Sequence, residues 1–423
     1  MFMLSSGIPV AFAFMGINIV GIATLWGGGD GLRLLVQSMW SSVASFVFLP
    51  IPMFILLGEI LFRTGIAQKA MDVIDKWLGR LPGRLALLSI ITSAMLSTMT
   101  GSTISTTAML GETLVPEMQK RGYDKTISIG SVMGSGGLAM LIPPSGLAVL
   151  WAAIAEVSIG RVLIGGAVPG VLIAILYATY VILRCKLKPH TAPNYTPEQT
   201  SKAKRMKDTA LYVLPLAFIV FMVTGLIFLG IASPAESAAT GVFAALIMTI
   251  IYRKFNWQML KDALFTTLRI STMIFLIISG TVAFGQVLAY TGATSELVCF
   301  FLGLDFPPIV FIILMMLILL ILGSFLSALP MIMITLPLFM PIVYAFGYDP
   351  VWFGILFLIN IEMGQSTPPF GYLLFVMKGV APEGTTLVDI IKAGIPFLIC
   401  DAIAMGLIMA FPIIALWLPN LMR

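Results

Sequence analysis

The sequence predicts an all-α polytopic membrane protein made of two inverted-topology repeats, each with a re-entrant helical hairpin and a helix broken at a Pro-Pro pair. Three observations predict this fold: the composition, the positions of the basic residues and a motif that occurs twice. Hydrophobic residues make up 59% of the 423 residues, charged residues make up 10%, and the mean hydropathy is +1.05. Soluble globular domains are far more polar, so most of the chain is expected to lie in a bilayer.

The apolar runs indicate helices and not the strands of a membrane barrel. Runs long enough for the roughly 30 Å hydrocarbon core recur along the chain, and residues 308–322 include no polar side chain. Barrel strands would alternate polar and apolar residues, and this alternation does not occur. Residues 4–26 have neither a basic start nor a small-residue cleavage site, so they are expected to form a retained first helix.

The basic residues predict the topology of the first half. Residues 184–208 form the densest basic segment and are assigned to the cytoplasm, because loops rich in Lys and Arg stay inside. The interrupted helix 126–157 and the crossing that follows it then form an out-and-back pair. Residues 63–84 and 120–125 are also basic, so the apolar segment 85–116 between them must enter and leave on the cytoplasmic side as a hairpin.

The same rule orients the second half. Helices near 210–230 and 236–252 leave and return, which places the basic segment 253–269 inside. Residues 291–306 carry acidic but no basic residues, so the hairpin after them is expected to enter from outside. The later elements are helix 270–288, the hairpin 308–345, the interrupted helix 351–377 and helix 393–418. Arg33, Arg161 and Arg423 are the only basic residues that this topology leaves outside.

Two amphipathic basic stretches, residues 66–80 and 254–268, place apolar residues at helical spacing. This pattern predicts helices that lie in the membrane interface and frame a moving part, and cytoplasmic loop helices are the alternative. The domain prediction is therefore scaffold helices and a first arm (1–84), transport-domain half 1 (85–183), a basic cytoplasmic linker (184–208), scaffold helices and a second arm (209–290), and transport-domain half 2 (291–423).

One motif occurs twice in the same register. Pro116, Gly122, Tyr123, Asp124, Pro143, Pro144 and Gly146 match Pro341, Gly347, Tyr348, Asp349, Pro368, Pro369 and Gly371 at one constant offset. The topology inserts the first hairpin from inside and the second from outside, so the two copies are expected to be inverted. Inverted repeats with paired broken helices are typical of secondary transporters whose substrate and ion sites lie near the middle of the membrane.

The prolines predict a cation site at each break. A proline removes an amide donor and frees carbonyl groups of the preceding turn, and the glycines let the backbone turn. Free carbonyls inside a bilayer are tolerated where they line a cavity or bind an ion, and a sodium ion needs several oxygen ligands. The Na⁺ candidates from the breaks and the hairpin tips are Gly101, Ser102, Thr103, Thr106, Pro143, Ser145, Gly323, Ser324, Ser327, Thr367 and Pro368.

Other polar residues in apolar surroundings are candidates for the substrate site: Ser105, Ser135, Asn360, Gln365 and Gly371. Carboxylates within membrane segments are functional candidates by default. Glu362 precedes the second break and is the strongest of them, Glu59 is expected to pair with Arg63, and Asp401 has no evident role. Glu112 and Glu236 are interpreted as members of buried pairs.

Several classes of protein are excluded or disfavoured. The chain has no GxxxxGK[ST] phosphate-binding loop and no catalytic set on facing helices, so it is not expected to hydrolyse ATP or to be an enzyme. Cys185, Cys299 and Cys400 match neither a disulfide framework nor a metal spacing and are expected to be packing residues. The net charge of +5 follows the cytoplasmic loops, which indicates a bilayer partner and no nucleic acid.

The chain resembles the large membrane (M) subunit of a tripartite ATP-independent periplasmic (TRAP) transporter over essentially its whole length. The resemblance is carried by PMFILLGEILFRTGIA (52–67), SGGLAMLIPPSG (135–146), SPAESAATG (233–241) and WFGILFLINIEMGQSTPPFG (352–371). It implies an elevator mechanism in the bacterial inner membrane and sodium-coupled uptake of a small organic acid, of the dicarboxylate or sugar-acid type. It also implies two partners, a small four-helix membrane (Q) subunit and a periplasmic substrate-binding protein.

The sequence departs from this family at both hairpin tips. Relatives often carry an aspartate where this chain has Thr106 and Ser327, which leaves the number of sodium ions open. Two other functions remain as alternatives: a single-component sodium/carboxylate symporter, which needs no binding protein, and a membrane scaffold whose breaks are packing kinks.

Overall fold

The computed structural model describes residues 10–25, 29–79, 81–100, 103–193 and 201–422. Across these ranges the chain is helical, with no strand. In chain order the helices are α1 (Val10–Leu25), α2 (Gly29–Val43), α3 (Pro50–Arg63), α4 (Ile66–Leu78), α5 (Arg84–Thr100), α6 (Thr103–Lys120), α7 (Lys125–Gly136), α8 (Gly146–Ile154), α9 (Ile159–Leu187), α10 (Lys202–Asp208), α11 (Leu214–Phe228), α12 (Pro234–Ile251), α13 (Trp257–Tyr290), α14 (Ala293–Leu302), α15 (Pro308–Gly323), α16 (Ala328–Ala345), α17 (Pro350–Ser366), α18 (Tyr372–Val380), α19 (Leu387–Ala410) and α20 (Ile413–Asn420).

This architecture confirms the prediction of an all-α polytopic membrane protein. Seven helical segments in the described ranges are long and apolar enough to cross a bilayer. They are Phe46–Arg63, Ile159–Leu187, Lys202–Phe228, Pro234–Ile251, Trp257–Tyr290, Ala328–Ala345 and Leu387–Ala410. The segment Lys202–Phe228 includes a π-helical turn, Thr209–Val213, that joins α10 to α11.

Both predicted hairpins are pairs of helices joined by a very short connection. The first consists of α5 and α6, which pack against each other, and the second consists of α15 and α16. The tip residues Gly101 and Ser102 of the first hairpin lie outside the described residues. In the second hairpin only residues 324–327 separate the two helices.

Both predicted breaks are present, and their local geometry is similar. In the first, α7 continues into a 3₁₀ turn, Gly137–Met140, and the helix resumes at Gly146. In the second, α17 ends at Ser366 and α18 begins at Tyr372. Each break contains a cis peptide bond between its two prolines. The burial differs, because Pro143, Pro144 and Ser145 are buried whereas Pro368, Pro369 and Phe370 are exposed.

The turn that precedes each broken helix is also repeated. Gly122 and Gly347 have positive φ values of 81° and 72°, a conformation that glycine adopts without steric cost. Asp124 and Asp349 then cap their helices, accepting hydrogen bonds from Thr126 N at 3.4 Å and Val351 N at 2.7 Å. The two units therefore share their order of elements and their local turns.

The second arm differs from the prediction. Residues 257–290 form one continuous helix of 34 residues, α13, so the amphipathic stretch is the start of a crossing and not a separate interfacial helix. The physical reason is that no glycine or proline occurs between Trp257 and Ser279. The first arm is a separate helix, α4, as predicted, and it begins after Gly65, which has a φ of 65°.

Two glutamates that were interpreted as buried are exposed. Glu112 lies on the exposed face of α6. Glu236 forms a capping box at the start of α12, where Ser233 Oγ accepts from Glu236 N at 3.3 Å and Glu236 Oε2 accepts from Ser233 N at 2.8 Å. The pattern Ser-x-x-Glu before an apolar run is typical of such a box. The sequence alone therefore favours a capping role for Glu236 over a buried pair.

The ion pairs are consistent with the predicted topology. Lys76 with Asp208 (3.2 Å), Arg84 with Asp75 (2.6 Å) and Lys125 with Asp389 (3.0 Å) each join segments assigned to the cytoplasm. Arg161 lies 3.8 Å from Asp349, and both belong to segments assigned to the outside. In the described part of the chain, no ion pair joins segments assigned to opposite sides.

Candidate functional site

A cavity of about 430 Å³ lies where both hairpin tips and both broken helices meet α3 and α13. We call it the inner cavity. The hairpins and the broken helices contribute Thr103, Ile104, Ser105, Met140, Gly146, Leu147, Leu150, Ser327, Ala328, Leu329, Gln365 and Tyr372. Helices α3 and α13 contribute Ile51, Ile55, Gly58, Glu59, Phe62, Ile270 and Ile274. Its size suits a small molecule.

Four helices begin at the wall of the inner cavity. Thr103, Gly146, Ala328 and Tyr372 are the first residues of α6, α8, α16 and α18, and all four line the cavity. The first amide groups of a helix have no partner within the helix, and the helix dipole gives this end a partial positive charge. The arrangement therefore favours an anionic group in the cavity.

Carbonyl-bearing helix ends reach the same wall. Met140 ends the 3₁₀ turn of the first break, and Gln365 lies in the last turn of α17. The ends of helices at a break carry carbonyls without a helical partner, which are suitable ligands for a cation. The inner cavity thus offers amide donors and carbonyl acceptors from both repeats.

The charged side chains give the inner cavity little net charge. Among its described lining residues Glu59 is the only charged one, and Glu59 Oε2 accepts a hydrogen bond from Arg63 Nε at 3.0 Å, as the sequence predicted. Arg63 also donates to Thr266 Oγ1 at 3.0 Å. An anion bound in this cavity would thus meet helix amides and not a free Lys or Arg side chain.

The structure brings two of the five predicted substrate residues to the inner cavity. Ser105 and Gln365 line it, and Gln365 Oε1 is buried and has no hydrogen-bond partner within the described ranges. Ser135 instead pairs with Ser93 at 2.8 Å, and Asn360 Nδ2 donates to Met316 O at 2.8 Å. Gly371 has a backbone role, because a Cβ there would lie 2.6 Å from the carbonyl oxygen of Gln365.

The predicted sodium residues of the first repeat divide into three groups. Gly101 and Ser102 lie outside the described residues. Thr103 lines the inner cavity, and its buried Oγ1 has no hydrogen-bond partner among the described residues. Thr106 and Pro143 are buried near the tip and in the break. Ser145 caps α8, where its Oγ accepts from Ala148 N at 3.3 Å and donates to Met140 O at 2.8 Å.

In the second repeat Ser327 lines the inner cavity, at the N-terminus of α16 and without a side-chain cap bond. Ser324 Oγ and Thr367 Oγ1 donate to Ile321 O at 2.7 Å and Met363 O at 2.6 Å, which leaves their lone pairs as acceptors. Pro368 is exposed. Gly323 instead packs against Gly364, since a Cβ on Gly323 would lie 2.9 Å from Gly364 Cα.

Some residues of the inner cavity have no signal in the sequence. Phe62 and Ile270 line it because of how α3 and α13 are rotated against the hairpins. Thr107, next to the predicted Thr106, is buried with an unpartnered Oγ1, and its position in a hydroxyl-rich tip was the available signal.

A second cavity, of about 1020 Å³, lies between segments that the topology assigns to the outside. We call it the outer cavity. Residues 41–42, 45–50, 153–154, 156–160 and 232–236 line most of it. It includes Glu156 and Glu236, so its charged side chains are acidic.

This fold and the inner cavity define a multi-pass helical membrane protein of the transporter class. The family model described as "Tripartite ATP-independent periplasmic transporter, DctM component" matches residues 1–414, and the chain belongs to this family. The resemblance found in the sequence is confirmed. The curated relatives are transporter permeases and not enzymes.

The relatives transport chemically different substrates, by their names. The isethionate TRAP transporter permease protein DctMQ of Oleidesulfovibrio alaskensis is 31% identical over 89% of this chain, and the match spans 58% of that protein's own length. The C4-dicarboxylate TRAP transporter large permease protein DctM of Pseudomonas aeruginosa is 29% identical over 92% of this chain and 90% of its own. The sialic acid TRAP transporter large permease protein SiaM of Vibrio cholerae is 28% identical over 99% of this chain and 96% of its own.

The solved structure of the Alcanivorax borkumensis YdaH transporter has a similar fold. It aligns with a TM-score of 0.65 over 98% of this chain and 100% of its own, at 15% sequence identity. A similarity at this identity concerns the fold alone.

Proposed function

We propose that the chain is the large subunit of a sodium-coupled secondary transporter that takes up a small organic acid. The observation that carries this proposal is the convergence of four helix N-termini on the inner cavity. These ends supply amide donors and partial positive charge to an anion in a low-dielectric site. The names of the relatives, which include C4-dicarboxylate and sialic acid permeases, support an organic acid.

Sodium coupling is supported by the oxygen atoms around the same cavity. Thr103 Oγ1 is buried without a partner among the described residues, and Met140 and Gln365, at the carbonyl ends of the broken helices, line the same cavity. Hydroxyl and carbonyl oxygens are ligands that sodium accepts. In the proposed site they would hold sodium ions beside the carboxylate, which adds the positive charge that the side chains lack.

The proposed mechanism is an elevator. The transport domain contains both hairpins and both broken helices, in residues 85–183 and 291–423, and the scaffold contains α3 and α13. The inner cavity lies at the boundary of these two bodies, so sliding one against the other would move the cavity across the bacterial inner membrane. The family's transporters are tripartite by name, and we propose that this subunit works with a small membrane subunit and a periplasmic binding protein. We also propose that the binding protein docks at the outer cavity.

Uptake by proteoliposomes that contain the chain and its small membrane subunit tests this function. The substrates are a dicarboxylate, sialic acid and isethionate, offered with and without an inward sodium gradient and with and without the cognate binding protein. We expect sodium-dependent uptake that requires the binding protein. Uptake without the binding protein would instead identify a single-component symporter. The absence of any gradient-driven uptake would favour a membrane protein that does not transport and only anchors a partner.

Replacement of Gln365 by leucine tests the inner cavity. Gln365→Leu keeps a similar volume but removes the unpartnered Oε1 that lines the cavity. Loss of one uncharged hydrogen bond costs about 0.5–1.5 kcal/mol, so the apparent substrate affinity is expected to fall about 2- to 10-fold. Gln258→Leu is the matched control, since Gln258 bonds to Asp262 on the exposed start of α13. An unchanged affinity of Gln365→Leu would place the substrate elsewhere.

A further inference from the structure

Three buried polar side chains meet between α9, α17 and α19, at a place separate from both cavities. They are Tyr177, Glu362 and Asp401, with exposed fractions of 0%, 1% and 2%. The Tyr177 hydroxyl lies 2.5 Å from Asp401 Oδ1 and 3.5 Å from Glu362 Oε1. We call them the carboxyl cluster. The described lining residues of the two cavities include none of the three.

The carboxyl cluster has too few protons for its acceptors. A tyrosine hydroxyl has one proton to donate, and the shorter of its two carboxyl contacts is the one to Asp401. Glu362 Oε1 then has only the 3.5 Å contact with Tyr177, and Glu362 Oε2 is buried with no hydrogen-bond partner in the described part of the chain. A buried carboxylate oxygen without a partner is costly, and two buried carboxylates beside one hydroxyl repel each other.

No basic side chain in the described surroundings neutralises the carboxyl cluster. Besides its own three members, the titratable group that faces the carboxyl cluster is Cys400 on α19. The packed segments Gly137–Met140, Gly146–Ile154, Pro308–Gly323 and Ile413–Asn420 contain no titratable side chain. Most basic residues on the helices around the cluster have other partners: Lys125 pairs with Asp389 at 3.0 Å, Arg161 lies 3.8 Å from Asp349, Arg184 lies 3.9 Å from Asp124, and Lys378 donates to Thr385 O. The other two, Lys186 and Lys392, are exposed.

We propose that the carboxyl cluster is a proton-binding site, in which Glu362 holds a proton while Tyr177 keeps Asp401 as the hydrogen-bonded carboxylate. A proton balances the second negative charge without a counter-ion and turns Glu362 Oε1 or Oε2 into a donor.

Glu362 lies where the two broken helices touch, so its protonation affects their contact. Glu362 lies on the broken helix α17, close against the other broken helix, since a Cβ on Gly137 would lie 1.5 Å from Glu362 Oε1. Loss of the proton to solvent would leave two adjacent buried negative charges where the two repeats meet. Such a pair separates these helices or draws in water, so the bound proton is expected to hold the two broken helices together.

Infrared spectroscopy of the purified protein tests the proton directly. A protonated buried carboxyl gives a carbonyl band that is distinct from carboxylate bands and shifts in heavy water. We expect this band in the wild type at neutral pH, its loss in Glu362→Gln, and its retention in Glu112→Gln, which removes an exposed glutamate. Absence of the band from the wild type, or its loss in Asp401→Asn and not in Glu362→Gln, would overturn the proposal.

Thermal unfolding in detergent provides a second test that needs no transport assay. A folded state that keeps a proton which the unfolded state releases loses stability as the pH rises. The midpoint temperature of the wild type is therefore expected to fall as the pH rises from about 5 to about 9. In Glu362→Gln this fall is expected to be at most about half as large, whereas in Glu112→Gln it is expected to be unchanged. An equal fall of the midpoint temperature in Glu362→Gln would contradict a proton on Glu362. Stabilisation of the wild type by sodium that is lost in Glu362→Gln and kept in Glu112→Gln would also contradict it and would indicate a bound cation.

Discussion

A disulfide between Gly285→Cys and Pro337→Cys is expected to abolish substrate uptake, and its reduction is expected to restore it. Gly285 lies on α13, which belongs to the proposed scaffold, and Pro337 lies in the second hairpin. A Cβ on Gly285 would be 3.7 Å from the Cβ of Pro337, within the separation of about 3.5–4.5 Å found in disulfides. Neither residue lines the inner cavity, so the bond would stop the proposed sliding without filling the substrate site.

The matched control is a disulfide inside the transport domain. Gly111→Cys and Val380→Cys join the first hairpin to the second broken helix, with a corresponding Cβ distance of 3.6 Å. Because both residues belong to the proposed transport domain, which would move as one body, uptake is expected to continue. Both pairs are made in a Cys299→Ser background, since Cys299 is exposed whereas Cys185 and Cys400 are buried. Full uptake by the oxidised Gly285/Pro337 pair would contradict an elevator that moves these two helices apart.

The helices, the hairpins and the breaks could be predicted from the sequence because each has a local physical cause. A run such as residues 308–322 has no polar group to place in water, and a Pro-Pro pair cannot continue a helix. The capping box at Ser233 and the continuous helix α13 also had local signals, a Ser-x-x-Glu pattern and a long stretch without breakers. The exposed position of Glu236 and the continuity of α13 can therefore both be predicted from local sequence.

The composition of the inner cavity depends on tertiary packing. The breaks show that helices begin near Gly146 and Tyr372, but not that these ends point at the same space as the ends at Thr103 and Ala328. The rotation of α3 and α13 decides which of their apolar residues face that space. Helices that are apolar on all sides have no periodicity that reveals a buried face.

The carboxyl cluster illustrates the same limit. Its members lie on three helices that are distant in the sequence, and Asp401 in an apolar run had no evident role there. Glu362 stood out only as a carboxylate near a break. The contact between them follows from the packing of α9, α17 and α19, which a single sequence does not encode in any local pattern.

Replacement of Gly364 by alanine is expected to destabilise the contact between the second hairpin and its broken helix. A Cβ on Gly364 would lie 2.7 Å from Gly323 Cα and 3.1 Å from Gly323 C, and both glycines are buried. These are backbone atoms, so no rotamer change relieves the overlap, and the helices must separate. Overpacking of this kind costs about 1–3 kcal/mol, and a valine should cost more.

Thermal unfolding in detergent measures this effect, with Gly406→Ala as the control. Gly406 is also helical, but a Cβ there would meet no atom within 4 Å, and alanine favours a helix over glycine. The midpoint temperature is therefore expected to fall in the order Gly406→Ala, Gly364→Ala, Gly364→Val. If Gly364→Ala unfolds at the temperature of the wild type, α15 and α17 do not depend on this close backbone approach. In that case small residues at a helix crossing would be tolerated here but not required.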